Sequence, residues 1–267
     1  MKAILEKLAC PVCATRLCIV ENKKSGEAPT LICSHCRERF TPMDGMINLA
    51  GDAVAPGLFS AQWAMEFEPL VAVYDHLWRP VLTSMICDLK WEMETSREMM
   101  DVSSGMDVLD LACGTGNFTG LFSEPARPGA VIGADLSLPM LRNARRKFKE
   151  QKKSNIALMR VDVTKWPFAP ESFDRIHCAG ALHLLPDIQN VFFSIFRSLK
   201  KGGYFVGATY CWGGDYATQM IQNYASWGRW IHWFDDQELQ SLSVHAGFSG
   251  WEARTYKQGI VFRIQKP

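Results

Sequence analysis

The spacing of hydrophobic residues changes at about residue 105, and from there strand-like and helix-like segments alternate. Short apolar runs that suit buried strands cover 107–112, 130–135, 156–162, 173–179 and 204–210. Amphipathic segments of helical period cover 117–124, 137–151 and 187–200, the last of them stopped by Gly202 and Gly203. Apolar strands between amphipathic helices indicate a mostly parallel sheet covered on both faces. Right-handed crossovers then make this α/β sheet doubly wound.

The sequences on either side of this core predict two further elements. At the C-terminal end, 251–265 predicts two antiparallel strands that form a hairpin around Gln258 and Gly259. Before the core, 58–103 predicts helices, because apolar residues recur every three or four positions. This apolar stripe consists of Trp63, Phe67, Leu70, Val71, Tyr74, Leu77 and Trp78. Pro80 predicts a kink or a restart of the helix.

These segments divide the chain into three predicted parts. Residues 1–50 form a cysteine-bearing unit that is too small to fold by hydrophobic burial alone. Residues 51–104 comprise a linker at 51–57 and a helical cap. Residues 105–267 form the core, with an aromatic lid near 210–235. The 267 residues, 48% of them hydrophobic, suffice for one full-sized core and a small module.

Charge and hydropathy exclude some classes of protein. No apolar run is long enough to span a bilayer, and the N-terminal sequence lacks the layout of a signal peptide, so we expect a cytoplasmic protein. The formal net charge of +1 gives the whole molecule no strong attraction for nucleic acid. The charge is uneven, because 142–153 holds seven basic residues and one acidic residue. This run suits either a solvated helix face or a docking patch for a phosphate-bearing substrate.

The cysteines of the N-terminal unit have the spacing of a metal site. Cys10, Cys13, Cys33 and Cys36 form the pattern C-x2-C-x19-C-x2-C. Four thiolates from two such pairs suit the tetrahedral coordination of Zn²⁺ in structural sites, which leave no open position for catalysis. A pair of redox dithiols is the alternative, and it would need a thioredoxin-like frame that the sequence lacks. We therefore predict a zinc ribbon over residues 1–50.

The sequence VLDLACGTGNF, from Val108 to Phe118, carries the first predicted strand into a glycine-rich turn and then a helix. Such a turn lets a ligand approach bare backbone, and the helix N-terminus adds amide donors. Asp135 ends the second strand, where a carboxylate can accept both ribose hydroxyls of an adenosine. Asp110 and Asp162 are two further acids at the same sheet edge. Three acids around one crevice favour a positively charged adenosyl ligand over a dinucleotide.

Four stretches resemble successive motifs of the class I S-adenosylmethionine-dependent methyltransferases, which have a Rossmann-like fold. They are VLDLACGTGNF, IGADLS, RVDVTKWPFAPESFDRIHCAGALHLLPD and SLKKGGYF, and they span roughly 105–210. The first glycine of the family's turn is replaced here by Ala112. The positions that match the family's cofactor-binding motifs are Asp110, Ala112, Gly114, Gly116, Asp135, Leu136, Asp162, Val163, Cys178 and Ala179.

The resemblance implies a role for each group of residues. Asp110 and the backbone of the glycine-rich turn would hold the methionine part of the cofactor. Asp135 would bind the ribose, and Leu136 would line the adenine. Asp162 and Val163 would fix the adenine from the other side. The end of the fourth strand would face the sulfonium and the methyl acceptor.

A zinc ribbon placed before such a core resembles two groups of methyltransferases. One is the bacterial rRNA guanine-N1 methyltransferases, and the other is a group of uncharacterised plastid and cyanobacterial methyltransferases. The sequences CAGALHLLPD and SLKKGGYFVGATY are more similar to those of the second group. The ribbon would either recognise a macromolecule or brace the core, and the sequence does not choose between the two.

Several side chains are candidates for the proton transfer that a weakly acidic methyl acceptor requires. His183 is the first, because it follows the fourth strand at the mouth of the crevice and its ordinary pKa suits neutral pH. Tyr74, His76 and His232 are the others. The alternative for His183 is a packing role at the entry of a helix.

Aromatic residues are dense between the core and the C-terminal hairpin. They are Tyr210, Trp212, Tyr216, Tyr224, Trp227, Trp230, Trp233 and Phe234. Such a segment suits either a lid over a flat or apolar acceptor or an ordinary helix packed on the sheet.

The sequence thus predicts an S-adenosylmethionine-dependent methyltransferase with structural Zn²⁺ and a small, largely apolar or aromatic acceptor, methylated on O, N or C. Two alternatives stay open. The first is an rRNA base methyltransferase, in which nucleic acid would be the partner. The second is a protein that binds the cofactor without transferring its methyl group, as a scaffold or a cyclase.

Overall fold

The computed structural model describes residues 2–21, 28–51, 65–214, 219–220, 222–223 and 232–267. Residues 52–57 of the predicted linker at 51–57 and the tryptophan at position 63 therefore lie outside the described residues. Within the described ranges, no helix combines the length and the apolar character that crossing a membrane requires.

The N-terminal unit contains a short helix and a small antiparallel sheet. The helix is α1 (Lys2–Leu5), and the strands in chain order are β1 (Leu17–Glu21), β2 (Thr30–Cys33), β3 (Arg39–Phe40) and β4 (Ile47–Asn48). The first three strands form the antiparallel sheet in the order β1-β2-β3. The fourth strand belongs to a different sheet, the large one of the core.

A helical cap follows, and one widened turn interrupts it. Its helices are α2 (Glu68–Val73), α3 (Arg79–Ile86) and α4 (Leu89–Met100), with a π-helical turn at Tyr74–Trp78. Pro80 lies in the first turn of α3, where its missing N–H is least costly. Asp88 caps α4 by accepting a 2.8 Å hydrogen bond from the backbone N–H of Trp91. The predicted restart of the helix near Pro80 is confirmed.

The core is built from seven further strands and the helices between them. The strands are β5 (Val108–Leu111), β6 (Val131–Asp135), β7 (Ile156–Arg160), β8 (Phe173–Ala179), β9 (Leu199–Tyr210), β10 (Ser249–Tyr256) and β11 (Gly259–Gln265). The helices are α5 (Asn117–Ala126), α6 (Leu138–Glu150), α7 (Ile188–Ser198) and α8 (Asp236–His245).

The large sheet has eight strands in the order β10-β11-β9-β8-β5-β6-β7-β4. The pairs from β9 to β4 are parallel, and β11 and β10 are antiparallel. This is the predicted doubly wound, mostly parallel α/β sheet with a C-terminal hairpin, and the fold prediction is confirmed. Buried clusters cover both faces of the sheet, one with Leu109, Ile132 and Ile176 and the other with the alternate strand residues Val108 and Val131.

One helix end differs from the prediction. The helix expected over 187–200 ends at Ser198, and β9 begins at once with Leu199. Leu199 is fully buried and pairs with Phe173 of β8, so this contact draws the segment into the sheet. Gly203 lies where a Cβ would come within 2.9 Å of two backbone carbonyl oxygens, so the strand passes the bend without a side chain.

The N-terminal unit is joined to the large sheet through strand and side-chain contacts. Ile47 and Asn48 pair with β7 in parallel and form the edge of the sheet. Leu8 and Leu31 belong to the same buried cluster as residues of the central strands. Lys7 Nζ lies 2.5 Å from Asp107 Oδ2, just before β5. Residues 1–50 therefore contribute both an edge strand and buried side chains to the core.

Candidate functional site

The candidate site lies at the carboxyl edge of the parallel strands. From β5 the chain first extends the sheet on one side, through β6 and β7, and then on the other side, through β8 and β9. The order of the strands therefore reverses between β5 and β8, which is where open α/β sheets bind ligands. The predicted cofactor-binding residues lie at or just beyond the carboxyl ends of these same strands.

The glycine-rich turn after β5 runs through left-handed backbone. Ala112, Gly114 and Gly116 have φ values of 50°, 54° and 78°. A Cβ at Gly114 would meet nothing within 4 Å, whereas a Cβ at Gly116 would come within 2.6 Å of the Phe148 ring. Gly116 is therefore required by packing against α6, and Gly114 leaves open space above the backbone. Ala112 adopts the left-handed conformation that glycine has in related turns, at a modest strain cost.

Asp135 fixes this turn to the end of β6. Its carboxylate accepts a 2.7 Å hydrogen bond from the backbone N–H of Gly114 and a 2.8 Å bond from that of Ser137. Burial raises the pKa of Asp135, and the two amide donors oppose that rise. The side chain is half-buried at the sheet edge. A carboxylate has about four acceptor positions, so two stay free for a ligand.

Asp110 lies deeper than the other acids and is almost completely buried. Its carboxylate accepts a 2.5 Å hydrogen bond from Thr119 Oγ1 of α5 and lies 2.8 Å from His177 Nδ1 of β8. The His177 ring packs against the rings of Phe118 and Phe122, with centroids 4.5 and 5.0 Å away. Asp110 of β5 therefore connects α5, the helix that follows the turn, to the central strands β5 and β8.

The remaining predicted cofactor residues occupy the neighbouring strand ends. Asp162 is half-buried and accepts hydrogen bonds from the backbone N–H and the hydroxyl of Thr164, at 3.0 and 2.7 Å. Leu136, just after β6, and Val163, just after Asp162, are also half-buried. Ala179 is also half-buried, whereas the Cys178 side chain is fully buried in the core. Burial raises the pKa of Cys178, so its thiol stays protonated at neutral pH.

The cap reaches the glycine-rich turn through Asp75, which the sequence analysis did not single out. Asp75 Oδ1 accepts hydrogen bonds from Thr115 Oγ1 at 2.6 Å and from Asn117 Nδ2 at 2.9 Å. Lys147 of α6 lies 3.7 Å from the other carboxylate oxygen and donates to Asn117 Oδ1. An anion at the N-terminus of α5 also suits the helix dipole. The sequence signal was an acid within an otherwise apolar helical stripe.

A buried ion pair lies under the same cap. Arg79 of α3 lies 3.7 Å from Glu92 of α4, and the guanidinium is 5.3 Å from the Phe118 ring centre. Burial raises the pKa of Glu92, and Arg79 opposes the rise. Burial also raises the pKa of Tyr74 and of Tyr210, whose phenols share this environment. The side chains between the cap and the glycine-rich turn are thus mostly aromatic, and the opposite charges of Arg79 and Glu92 nearly cancel.

His183 lies in a short 3-10 turn after β8 and is nearly buried, with 7% of its surface exposed. One ring nitrogen is 3.4 Å from Thr209 Oγ1, and the ring centre is 4.7 Å from that of Tyr210. Burial lowers the pKa of His183 to about 4, so the imidazole is neutral at pH 7. In this state it is a hydrogen-bond acceptor or donor at one nitrogen each.

The other predicted catalytic residues lie in different surroundings. Tyr74 is half-buried in the π-helical turn and faces the buried ion pair. His76 is exposed on the cap. His232 is more than half exposed, and its Nε2 lies 2.9 Å from Glu238 Oε1. The structure thus brings Tyr74 and His183 near the buried Tyr210 ring, while the side chains of His76 and His232 lie at the surface.

Part of the predicted aromatic lid lies within the described residues. Tyr216, Tyr224, Trp227 and Trp230 lie outside the described residues. Trp233 is buried, with ring centres 6.2 Å from Tyr210 and 6.3 Å from Trp212. The described aromatic residues therefore continue the apolar surroundings of His183.

The four predicted metal ligands converge. The sulfurs of Cys10, Cys13, Cys33 and Cys36 all lie within 4.8 Å of one another. The Cys10–Cys36 and Cys13–Cys33 sulfur pairs are 3.6 and 3.4 Å apart. A tetrahedral Zn²⁺ with bonds of about 2.3 Å would place them roughly 3.8 Å apart. The backbone N–H groups of Val12 and His35 donate to the sulfurs of Cys10 and Cys33, which suits thiolates.

Comparison with known proteins identifies the core. Residues 108–203 match the family described as a methyltransferase domain. An uncharacterised chloroplastic methyltransferase of Arabidopsis thaliana is 25% identical over 97% of this chain and 78% of its own length. The demethylmenaquinone methyltransferase of Lactococcus lactis is 41% identical over 42% of this chain, which spans only 45% of that enzyme.

The fold has solved counterparts as well. The phosphoethanolamine N-methyltransferase 2 of Haemonchus contortus, in complex with S-adenosyl-L-methionine, has a TM-score of 0.64 at 16% identity. The match covers 78% of this chain and 58% of that one, and it shows a shared fold. The domain match and the relatives show that the protein is an enzyme, an S-adenosylmethionine-dependent methyltransferase.

We predict that Asp75→Ala loosens the cap. The change removes the acceptor of two hydrogen bonds to the glycine-rich turn, and bonds to a charged group contribute about 1.5–3 kcal/mol each. Amide hydrogen exchange across 68–86 should become at least about tenfold faster. Glu68→Gln is the matched control, since that carboxylate is exposed and, among the described residues, pairs only with Arg142 at the surface. Equal exchange rates in both variants would contradict the assigned contact.

We also predict that His183 makes the protein less stable in mild acid. An unfolded chain protonates this imidazole near pH 6.5, whereas the folded protein does so near pH 4. The unfolded state therefore binds the extra proton between these values, and stability falls as the pH falls through this window. From pH 7 to pH 5 the loss should be about 2 kcal/mol.

The test compares urea unfolding of the wild type, His183→Asn and His245→Asn at both pH values. The exposed His245 is the matched control. We expect His183→Asn alone to lose this part of the pH dependence. If all three proteins lose stability equally between pH 7 and pH 5, the burial of a neutral His183 is wrong.

Proposed function

We propose that this methyltransferase acts on a small, largely apolar or aromatic acceptor. The observation that carries the proposal is the set of side chains beyond the glycine-rich turn. Tyr74, Phe118, Tyr210 and Trp233 are aromatic, and the charged groups among them, Arg79 and Glu92, are paired with each other. Such surroundings favour a flat or apolar molecule over a highly charged one.

The residues present fit the cofactor that the enzyme class requires. S-adenosylmethionine supplies an electrophilic methyl group on a sulfonium. We propose that the backbone at Ala112, Gly114 and Gly116 holds its methionine part, because open space lies above Gly114. The free acceptor positions of Asp135 would bind the ribose hydroxyls. Asp110 would act from below, by holding the turn and α5 in place.

The adenine would lie among the half-buried residues at the ends of β6 and β7. Leu136 and Val163 offer apolar contacts, and Asp162 has acceptor positions left beyond its bonds to Thr164. Ala179 would border the sulfonium, whereas the fully buried Cys178 would support that strand end from the core. Each of these roles is the one that the resemblance to this class of enzymes implies for the matching position.

We propose His183 as the group that receives or orients the acceptor's proton. His183 is neutral at pH 7, and its ring lies beside that of Tyr210, in the turn that follows β8. Its low pKa makes it a weak base, so alignment and exclusion of water would carry much of the acceleration. Tyr74 is the second candidate, from the cap side. His76 and His232 are less well placed, because their side chains are at the surface.

We propose that the four cysteines hold a structural Zn²⁺. The four sulfurs fit an S₄ donor set, and a site with four protein ligands has no position for a substrate. Metal binding would then stabilise the unit that supplies β4 and the buried Leu8 and Leu31 to the core.

The chemical class of the acceptor is supported by one relative. The Lactococcus lactis enzyme is named for demethylmenaquinone, an apolar aromatic molecule, and its match to this chain is partial. The alternative is an RNA base, favoured by the zinc-ribbon spacing and by the basic side chains of α6. The cytoplasmic location stays a prediction.

The test follows transfer of a radiolabelled methyl group from S-adenosylmethionine to a panel of acceptors. The panel holds a reduced prenylated naphthoquinone, simple phenols and an rRNA fragment. We expect label in the organic extract of the apolar acceptors and at least about tenfold lower kcat in His183→Asn, with KM for the cofactor unchanged. His245→Asn is the control. Label in RNA alone would replace this proposal with the alternative.

A further inference from the structure

One face of α6 carries four exposed basic residues that the proposed function does not use. They are Arg142, Arg145, Arg146 and Lys149. Each of them has two of the others three or four positions away, and like charges at this spacing repel each other on a helix. The helix dipole compensates positive charge within the last turn only, and of the four this turn contains Lys149. The fold therefore bears a repulsion here that a bound anion would relieve.

The same four side chains line a cavity, together with Asp44 and Gly45 of the N-terminal unit. The cavity has a volume of about 540 Å³. Pockets for small ligands typically measure roughly 300–1,000 Å³. A basic row on an isolated helix would meet only solvent, whereas here the turn before β4 supplies a second wall. The charges of α6 are thus gathered in a concave site at the junction between the N-terminal unit and the core.

The turn before β4 makes room for one of these arginines. Met43 and Met46 exchange backbone hydrogen bonds of 3.0 and 2.9 Å around Asp44 and Gly45, which both have left-handed backbone. A Cβ at Gly45 would lie 2.6 Å from Arg145 Nη2. Glycine therefore leaves the space that the guanidinium occupies. This contact holds Arg145 at the cavity without neutralising its charge.

The positive charge of the cavity is only partly compensated. Arg142 Nε donates a 2.6 Å hydrogen bond to Asp44 Oδ2, and Arg142 Nη1 lies 2.9 Å from Glu68 Oε1. The acidic residue of the lining is therefore already paired. No ion pair joins any residue that the structure describes to the other three cations, which are Arg145, Arg146 and Lys149. These three, which we call the cavity cations, line one cavity without a counter-charge.

We propose that this cavity binds the phosphate chain of a small di- or triphosphate. Guanidinium groups bind phosphate oxygens through paired hydrogen bonds, and an ammonium adds a point charge. Positions 142–149 extend over about 10 Å of helix, which suits a chain of two or three phosphates better than a single one. The chemistry fits a free phosphate chain or one carried by a nucleotide. RNA fits less well, because the cavity cations are gathered in one pocket rather than along a stripe.

A ligand in this cavity would connect two parts of the chain. It would contact the turn at Asp44 and Gly45, just before β4, and the exposed face of α6. The buried Phe148 of the same helix packs against Gly116 of the glycine-rich turn. A ligand that binds the folded chain alone stabilises it by mass action, so triphosphate should raise the unfolding temperature. This site goes beyond the proposed function, and its test requires no turnover.

The experiment is calorimetric titration of the full chain with inorganic triphosphate at low salt. We expect one saturable site per chain, weaker binding at high salt, and at least about tenfold weaker binding of orthophosphate. Adenosine triphosphate distinguishes the two sources, because tighter binding than that of inorganic triphosphate indicates a nucleotide, and equal or weaker binding indicates a free phosphate chain. Asp135→Asn, at the proposed cofactor site, should bind triphosphate like the wild type.

Two sets of variants test the cavity itself. Arg145→Gln with Arg146→Gln should weaken triphosphate binding at least about tenfold, because two guanidinium contacts are lost. Gly45→Ala keeps every charge but places a Cβ where the Arg145 guanidinium lies, and it should weaken binding at least about threefold. Lys152→Gln is the matched control, since this residue is exposed in the same basic run but does not line the cavity.

Four results would overturn the proposal. The first is absence of saturable triphosphate binding by the folded wild type, including the case in which an rRNA fragment binds instead. The second is unchanged affinity in Arg145→Gln with Arg146→Gln. The third is an equal loss of affinity in Lys152→Gln, which would indicate attraction by the whole basic run. The fourth is loss of triphosphate binding in Asp135→Asn, which would place the anion at the cofactor site.

Discussion

The left-handed turn between β5 and α5 is the constraint on which the rest of the site depends. A strand that ends in the middle of a parallel sheet must redirect the chain within a few residues, and here Ala112, Gly114 and Gly116 do so at positive φ. Gly116 then packs against Phe148, and Asp135 holds Gly114 from the neighbouring strand. The open space above Gly114 is the result, and the proposed binding of the cofactor to this backbone rests on it.

The cap contacts this turn, and these contacts determine which of its faces carries charged side chains. Asp75 accepts hydrogen bonds from Thr115 and Asn117, and Arg79 pairs with Glu92. Both charged residues of the segment 69–86 therefore face the inner side of the cap. The outward side keeps apolar residues such as Leu77. The same segment can therefore close over a cofactor and present an apolar surface, because its two faces have separate roles.

Local patterns were sufficient to predict the elements with strong periodicity. The central strands, the hairpin around Gln258 and the convergence of four cysteines all follow from spacing along the chain. Asp187 caps α7 by accepting a hydrogen bond from the backbone N–H of Asn190. His177 is fully buried in the predicted strand, but its contact with Asp110 required knowing that β8 lies beside β5.

Features that depend on contacts distant in sequence could not be predicted. Two-residue β4 has no periodicity, and only its pairing with β7 makes it a strand. Leu77 continues the apolar stripe of the cap in sequence yet lies at the surface, because the π-helical turn at Tyr74–Trp78 changes which side faces inward. The Arg79–Glu92 pair joins two helices whose relative placement no local signal contains.

The central claim is that this turn and Asp135 form the binding site for S-adenosylmethionine. The most direct measurement is calorimetric titration of the wild type and Asp135→Asn with S-adenosylhomocysteine, with Asp236→Asn as an exposed control. We expect one site per chain, weakened at least about tenfold in Asp135→Asn and unchanged in the control. Absence of binding heat in the folded wild type over a range of temperatures, or equal affinity in Asp135→Asn, would contradict the account.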